Sequence, residues 1–312
     1  MSDSDENKDD DQKKIGIKEK IWKRTLLNPR DVRHRATEDA ALGDYEGAIE
    51  GYDEFLQVYG DDAEVLAMKA RAFFLMGEEE EANDTYELAL KKNPKKSWIW
   101  LEKGFVLEEM ERWSEAVLCY QRALEHRKEG FLNEMKNRPD PIKEGILGPL
   151  SHAYFHAGSK DDLRLAEKYA KEALEIEPKQ HEALLTKAHL LIKHEKWEQV
   201  LDVCKIILND DEEDEDFLEF EAIAHLELKD TIGAYDSISR LLVIDDSDGD
   251  VWYYLACYYV LVGKHQEAID KLTVAIHLKL ELNDKMADEP LFDEIKSMPE
   301  FERLLKLEIY EP

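Results

Sequence analysis

His152 and His156 stand one helical turn apart, and His189 takes in the following helix pair the place that His152 takes in its own. Two histidines at i and i+4 share one helix face and offer nitrogen donors that suit zinc. No carboxylate or cysteine at a fitting spacing completes the set, so the three read as ordinary surface-lining histidines, and neither metal nor cofactor is expected. A Gly-x-x-x-x-Gly-Lys-Ser/Thr loop, a Gly-x-Gly-x-x-Gly loop, a His-Glu-x-x-His helix and a Gly-x-Ser-x-Gly elbow are all missing from the sequence. Asp245 to Asp250 has the composition of a calcium loop. With Gly249 as its glycine, however, the outer ligands fall on Ile244 and Leu255, which leaves a turn. Carboxylates abound, but a catalytic pair needs a desolvated cleft to shift its pKa, and most of these sit on helices facing water. The chemistry-bearing residues therefore point away from an enzyme.

The elements that must position these residues are set out by a ruler. An alanine or valine, at several places followed by an apolar residue, recurs at Ala48-Ile49, Ala82, Ala116-Val117, Ala166, Val200-Leu201, Ala234 and Ala268-Ile269, at intervals of 34, 34, 50, 34, 34 and 34 residues. Several marks have an aromatic residue three residues before them, Tyr45, Trp113 and Trp197, and most have a large residue four positions after them; Gly43-Asp44-Tyr45 with Tyr52 shows the set complete. This period with two amphipathic segments means stacked helix pairs, each too small to bury its apolar face alone. The pairs run approximately over 29–62, 63–96, 97–130, 144–180, 181–214, 215–248 and 249–282. Asn93-Pro94, Glu177-Pro178 and Asp-rich turns punctuate them, and Gly43, Gly77, Gly158 and Gly263 mark the tight turns within them.

Composition bounds the partners. The 312 residues are 43% hydrophobic and 37% charged, with a net charge of -30, which disfavours nucleic acid and anionic membrane surfaces. Residues 201–250 hold 17 Asp or Glu against three Lys or Arg, a balance of -14, so a charged partner of this region is expected to be basic. Cys119, Cys204 and Cys257 are odd in number and embedded in helical patterns, which reads as small buried hydrophobes in a reducing compartment. The opening MSDSDENKDDDQKK has no apolar signal core and no stretch is apolar enough to span a bilayer, so a cytoplasmic location is expected.

The marks together resemble the tetratricopeptide repeat (TPR) family. The last repeat gives Trp252, Leu255, Ala256, Tyr259, Gly263, Ala268, Leu272 and Ala275; the second gives Leu66, Ala70, Phe73, Gly77, Ala82, Tyr86, Ala89 and Pro94; the third gives Trp100, Gly104, Leu107, Trp113, Ala116, Tyr120 and Ala123. The resemblance covers about 29–282 and implies an all-α, right-handed superhelical solenoid of stacked helix-turn-helix repeats with capping helices. The first repeat departs from it at Arg35 and Asp39, where large apolar residues are usual, and the fifth and sixth lack glycine and aromatics at several marks. The expected organisation is an acidic disordered tail over 1–14, a basic amphipathic capping helix over 15–28, repeats 1–3 over 29–130, a helix extension and elbow over 131–143, repeats 4–7 over 144–282 and capping helices over 283–312.

In that family the first helices of successive repeats line a concave groove. The register nominates Arg33, Thr37, Ala67, Arg71, Phe74, Trp98, Leu101, Phe105, His152, Phe155, Leu185, His189, Asp216, Glu219, Ile223, Asp250, Tyr253 and Cys257, with Trp98, Phe105 and Tyr253 as anchors. A groove basic at its start, aromatic in its middle and acidic later would take a peptide or amphipathic helix carrying basic and apolar residues. The clamp with which chaperone-binding relatives grip a terminal carboxylate would fall on Arg33, Thr37, Met68, Trp98 and Glu102. Only Arg33 suits it, so no such tail is expected. The resulting expectation is a non-catalytic protein-interaction scaffold; a self-assembling array and, more remotely, a metal-binding or catalytic repeat protein are the alternatives.

Overall fold

The computed structural model describes residues 29–127 and 141–306. The expected tail over 1–14, the helix over 15–28, the segment 131–140 and residues 307–312 lie outside them. Sixteen α-helices and one 3-10 helix, and no strand, occur among the described residues. The chain is a helical-repeat solenoid, and it divides into two compact units, Met1–Asp162 and Leu163–Pro312.

The first unit holds three helix pairs, α1 (Pro29–Ala41) with α2 (Tyr45–Tyr59), α3 (Ala63–Leu75) with α4 (Glu79–Lys92) and α5 (Ser97–Glu109) with α6 (Trp113–His126). It then runs into α7 (Pro141–Ala157), which packs mainly on α6. Pro141 is thus the first residue of a helix rather than the end of an elbow; at that position its missing N–H costs nothing. The second unit begins in the first turn of α8 (Lys160–Ile176). It continues with α9 (His181–Lys193) and α10 (Trp197–Leu208), α11 (Glu215–Glu227) and α12 (Thr231–Ile244), and α13 (Gly249–Leu261) and α14 (His265–Leu278). Three short pieces follow: α15 (Leu282–Asp288), the 3-10 helix Pro290–Glu294 and α16 (Pro299–Leu304).

The ruler has a direct physical meaning. Ala48, Ala82, Ala116, Ala166, Val200, Ala234 and Ala268 are each 0% exposed. Every one lies on the second helix of its pair, where a larger side chain would hold the helices apart. Tyr52, Tyr86 and Tyr120, four residues after their marks, are also buried. Between the two helices of a pair the chain turns through one left-handed residue, at Gly43, Gly77, Gly158 and Gly263. Glu111, Glu195 and Lys229, with φ of 54°, 53° and 57°, make the same turn where glycine is missing, so the geometry persists although the residue that eases it does not.

Aspartates start many of the helices. Asp44 accepts from the Gly47 N–H at 2.9 Å, Asp62 from Glu64 and Val65 at 2.8 and 3.1 Å, and Asp214 from Phe217 at 3.1 Å. Each satisfies a donor that the first turn leaves without a helical partner. The Trp100 indole donates to the Pro94 carbonyl at 2.7 Å, and Trp252 does the same to Asp246 at 2.8 Å, which ties a first helix to the turn before it. Arg35 is exposed and Asp39 half-buried, so α1 is held chiefly through Val32 and Ala36. In the second unit one apolar cluster runs from Leu184 to Leu304, and the short C-terminal helices put Phe292, Ile295 and Phe301 into it.

Candidate functional site

In the first unit the register places Thr37 and Arg71 at the surface and leaves Arg33, Phe74, Trp98, Leu101, Phe105, His152 and Phe155 half-buried; Ala67 is fully buried. The expected basic start of the groove is neutralised. Arg33 lies 3.9 Å from Glu64, which also takes Lys96 at 2.7 Å, and Arg71 lies 3.3 Å from Glu102. The Tyr86 hydroxyl donates to the other oxygen of Glu102 at 2.8 Å. Burial pushes the Glu102 carboxyl above its usual range, with Arg71 and Tyr86 pulling against that shift. The Phe105 ring meets Tyr120 edge-on at 5.8 Å, so this anchor is partly spent on its own repeat.

Around α7 a polar cluster forms that the sequence reading left incomplete. His152 Nδ1 faces Glu108 at 3.5 Å, the second oxygen of Glu108 accepts from the Tyr120 hydroxyl, and the Nε2 atoms of His152 and His156 are 3.1 Å apart. Trp113 stacks on His156 at 4.3 Å. Glu108 sits near the end of α5, on a different helix from the histidines, and spacing along the chain gave no sign of it.

In the second unit Asp216 is exposed, Glu219, Ile223, Asp250 and His189 are half-buried, and the His189 ring meets Phe220 at 4.8 Å. Leu185, Tyr253 and Cys257 are buried instead of lining an open groove. Tyr253 is only 2% exposed because the C-terminal helices cover it: its ring meets Phe292 at 5.5 Å, its hydroxyl donates to Glu289 at 3.4 Å, and the Lys285 ammonium sits 4.5 Å above it. Asp250 is engaged by Lys279 at 2.6 Å and Lys285 at 3.5 Å. All three cysteines are free and buried, and burial pushes the thiols of Cys119 and Cys204 up to about 11 and about 12.

The covering segment does more than close the end. Beside it opens a cleft of about 650 Å³, lined by Ile223, Leu226, Leu261 and Leu291, by the carboxylates of Glu227 and Glu289 and by Lys229 and Lys285. Glu227 is held above the usual carboxylate range, first by burial and then by the charges of Glu289 and Glu195. A second, smaller hollow of about 100 Å³ has Glu215, Asp216, Glu219, Asp245 and Asp248 in its lining. The wall residues outside the repeats carried no periodic signal; the Glu289-Pro290-Leu291-Phe292 run was the trace they left.

Glu219 shows what such acidity does to the fold. Burial raises its carboxyl, the Tyr254 hydroxyl it accepts from opposes the shift, and Asp250 adds to it. The folded state therefore holds this proton more tightly than the unfolded chain. The stability this gives is complete below the ordinary carboxylate pKa and is lost as pH rises to the raised value. Glu219→Gln keeps an acceptor for Tyr254 without the buried charge. We expect it to raise the unfolding temperature at neutral pH by about 2–4 °C, the shift of ~1 kcal/mol in a domain of this size, and to flatten the decline between acid and neutral pH; thermal melts across that range measure both.

No family model matches the chain. It is 38% identical over 76 residues to the photosystem I assembly protein Ycf3 of Synechococcus sp. (strain CC9902), a match over 23% of this chain and 44% of that protein. It is 25% identical over 275 residues to the TPR repeat-containing protein YpiA of Bacillus subtilis (strain 168), over 77% of this chain and 63% of that protein. The chain thus spans about half the length of the curated relatives it matches. The crystal structure of a tetratricopeptide repeat protein from Parabacteroides merdae ATCC 43184 superposes with a TM-score of 0.61 at 14% identity, covering 89% of this chain and 97% of that one. Among the described residues no helix is long and apolar enough to cross a membrane. A 34-residue period whose marks are all buried, a left-handed turn that recurs even without glycine, and these likenesses converge: the chain has the tetratricopeptide repeat fold and is similar in sequence to proteins of that family.

Proposed function

We propose that this protein is a non-catalytic, cytoplasmic scaffold that binds a partner protein through a segment rich in basic and apolar residues. Tetratricopeptide repeat proteins mediate protein–protein interaction and assembly, and one similar protein is named for the assembly of photosystem I. The observation that carries the reading is the cleft beside the C-terminal helices. Its apolar lining at Ile223, Leu226 and Leu261 favours the greasy face of a peptide, and its carboxylates Glu227, Glu289, Asp293 and Glu294 outnumber the lysines Lys229 and Lys285 beside them, which favours a basic segment. Arg33 and Arg71 are already paired, so the first unit contributes contacts through Trp98, Leu101 and Phe74 more than through net positive charge.

The test is fluorescence anisotropy with a labelled amphipathic Leu/Lys peptide, its Leu/Glu counterpart and a scrambled control. The Leu/Lys peptide is expected to bind more tightly and to weaken with salt. Glu227→Lys is expected to cost about tenfold, or ~1.4 kcal/mol, of that affinity. Equal binding of both charge patterns would overturn the reading. A second reading, self-assembly, is favoured by exposed apolar residues on α12, where Ile232 is 84%, Tyr235 50% and Val243 86% exposed; a mass that grows with concentration in light scattering would select it.

A further inference from the structure

The cluster on α7 has no part in the peptide reading, and its geometry has another use. His152 and His156 project from one face of α7, and their Nε2 atoms lie 3.1 Å apart. Two nitrogens bound cis to one ion at about 2.0–2.1 Å stand roughly 2.9–3.4 Å from each other, so the pair already has the bite of a chelate. A carboxylate stands behind the first ring. Glu108 Oε1 is buried, accepts no hydrogen bond and lies 3.5 Å from His152 Nδ1. Its partner oxygen is fixed by the Tyr120 hydroxyl, and Tyr120 is itself fully buried. Closing that gap into a hydrogen bond would hold the proton on Nδ1, leave the lone pair on Nε2 and make that nitrogen a better donor. Trp113 stacks on His156 and holds the second ring in place.

We propose that His152 and His156 bind a divalent transition-metal ion of the zinc, nickel or copper class, with Glu108 positioning His152. With half the protein ligands of a structural zinc site, the expected Kd is on the order of 1–100 µM. A bound ion would link the end of α5 to α7 through Glu108 and so stiffen this part of the first unit.

The experiment uses the full chain with any affinity tag removed and metal stripped by a chelator. Nickel, copper and zinc are each titrated by calorimetry while tryptophan emission is followed, because nickel or copper beside Trp113 quenches it and zinc does not. One ion per chain is expected. His152→Ala and His156→Ala should each weaken binding at least tenfold, and Glu108→Gln about 10–100-fold. Trp113→Phe should keep the binding and lose most of the quench. Circular dichroism on each variant separates lost ligands from lost fold. X-ray absorption of the wild-type zinc form, which needs no variant, should show two imidazole nitrogens. Binding that survives both histidine substitutions in folded protein, an absorption spectrum without imidazole, or no saturation below about 1 mM would overturn the proposal and leave a hydrogen-bonded histidine pair.

Discussion

Tyr253→Ala should cost the second unit about 3–5 kcal/mol, the usual loss for a large aromatic removed from a packed core. The side chain is 2% exposed, sits in the cluster that runs from Leu184 to Leu304, and touches both Tyr254 and Phe292. Removing it undercuts the 3-10 helix Pro290–Glu294, whose aromatic residue packs on the space left behind. Tyr253→Phe is the control. Its hydroxyl bond to Glu289 is long at 3.4 Å, so that change should cost less than about 1 kcal/mol. Urea unfolding followed by circular dichroism measures both. A Tyr253→Ala chain as stable as the parent would mean that the C-terminal helices do not cover this face in solution.

Gly104→Ala is the second large effect, and it runs against helix propensity. Alanine is the better helix former by about 1 kcal/mol, so an unobstructed helical glycine should gain from the change. At position 104 a Cβ would lie 2.3 Å from Tyr120 Cε1, and Tyr120 is fully buried with its hydroxyl committed to Glu108. The overlap should leave a net loss of about 1–3 kcal/mol. Gly145 supplies the contrast on α7, because a Cβ there meets nothing within 4 Å; Gly145→Ala should gain up to about 1 kcal/mol. Opposite signs in parallel denaturation curves are expected. Tyr120→Leu placed on top of Gly104→Ala should recover part of the loss, and a double-mutant cycle isolates that coupling.

What the sequence showed and what it hid divide along one physical line. Anything repeated at the period was readable. Ala82 or Val200 can be found because the same steric demand recurs at every pair, and the demand at Glu111, Glu195 and Lys229 shows in the structure even where glycine is absent. Anything settled by a contact outside the period was not. Tyr253 and Cys257 occupy groove positions in the register, but a segment beyond the last repeat lies over them. Arg33 and Arg71 looked like a basic entrance because each was read alone, whereas Glu64 and Glu102 meet them from neighbouring helices. The histidine pair was visible from its i, i+4 spacing, but Glu108, the carboxylate that orients it, lies on α5. Leu185 and Ala67 were lost to a simpler cause, since one step along a helix turns a side chain by about a quarter of a circle.

The unbroken cluster from Leu184 to Leu304 also fixes an order of events during synthesis. On the ribosome the helices of the second unit emerge one after another, and each new pair can settle on the pair before it. The Tyr253 side of α13 lacks its last cover until Phe292 and the residues packed with it have cleared the exit tunnel. For that interval the nascent chain displays a sticky aromatic surface around Tyr253, and at roughly 5–20 residues per second it lasts for seconds. A stalled or truncated message ending between the last repeat and Phe301 would leave that surface uncovered for good.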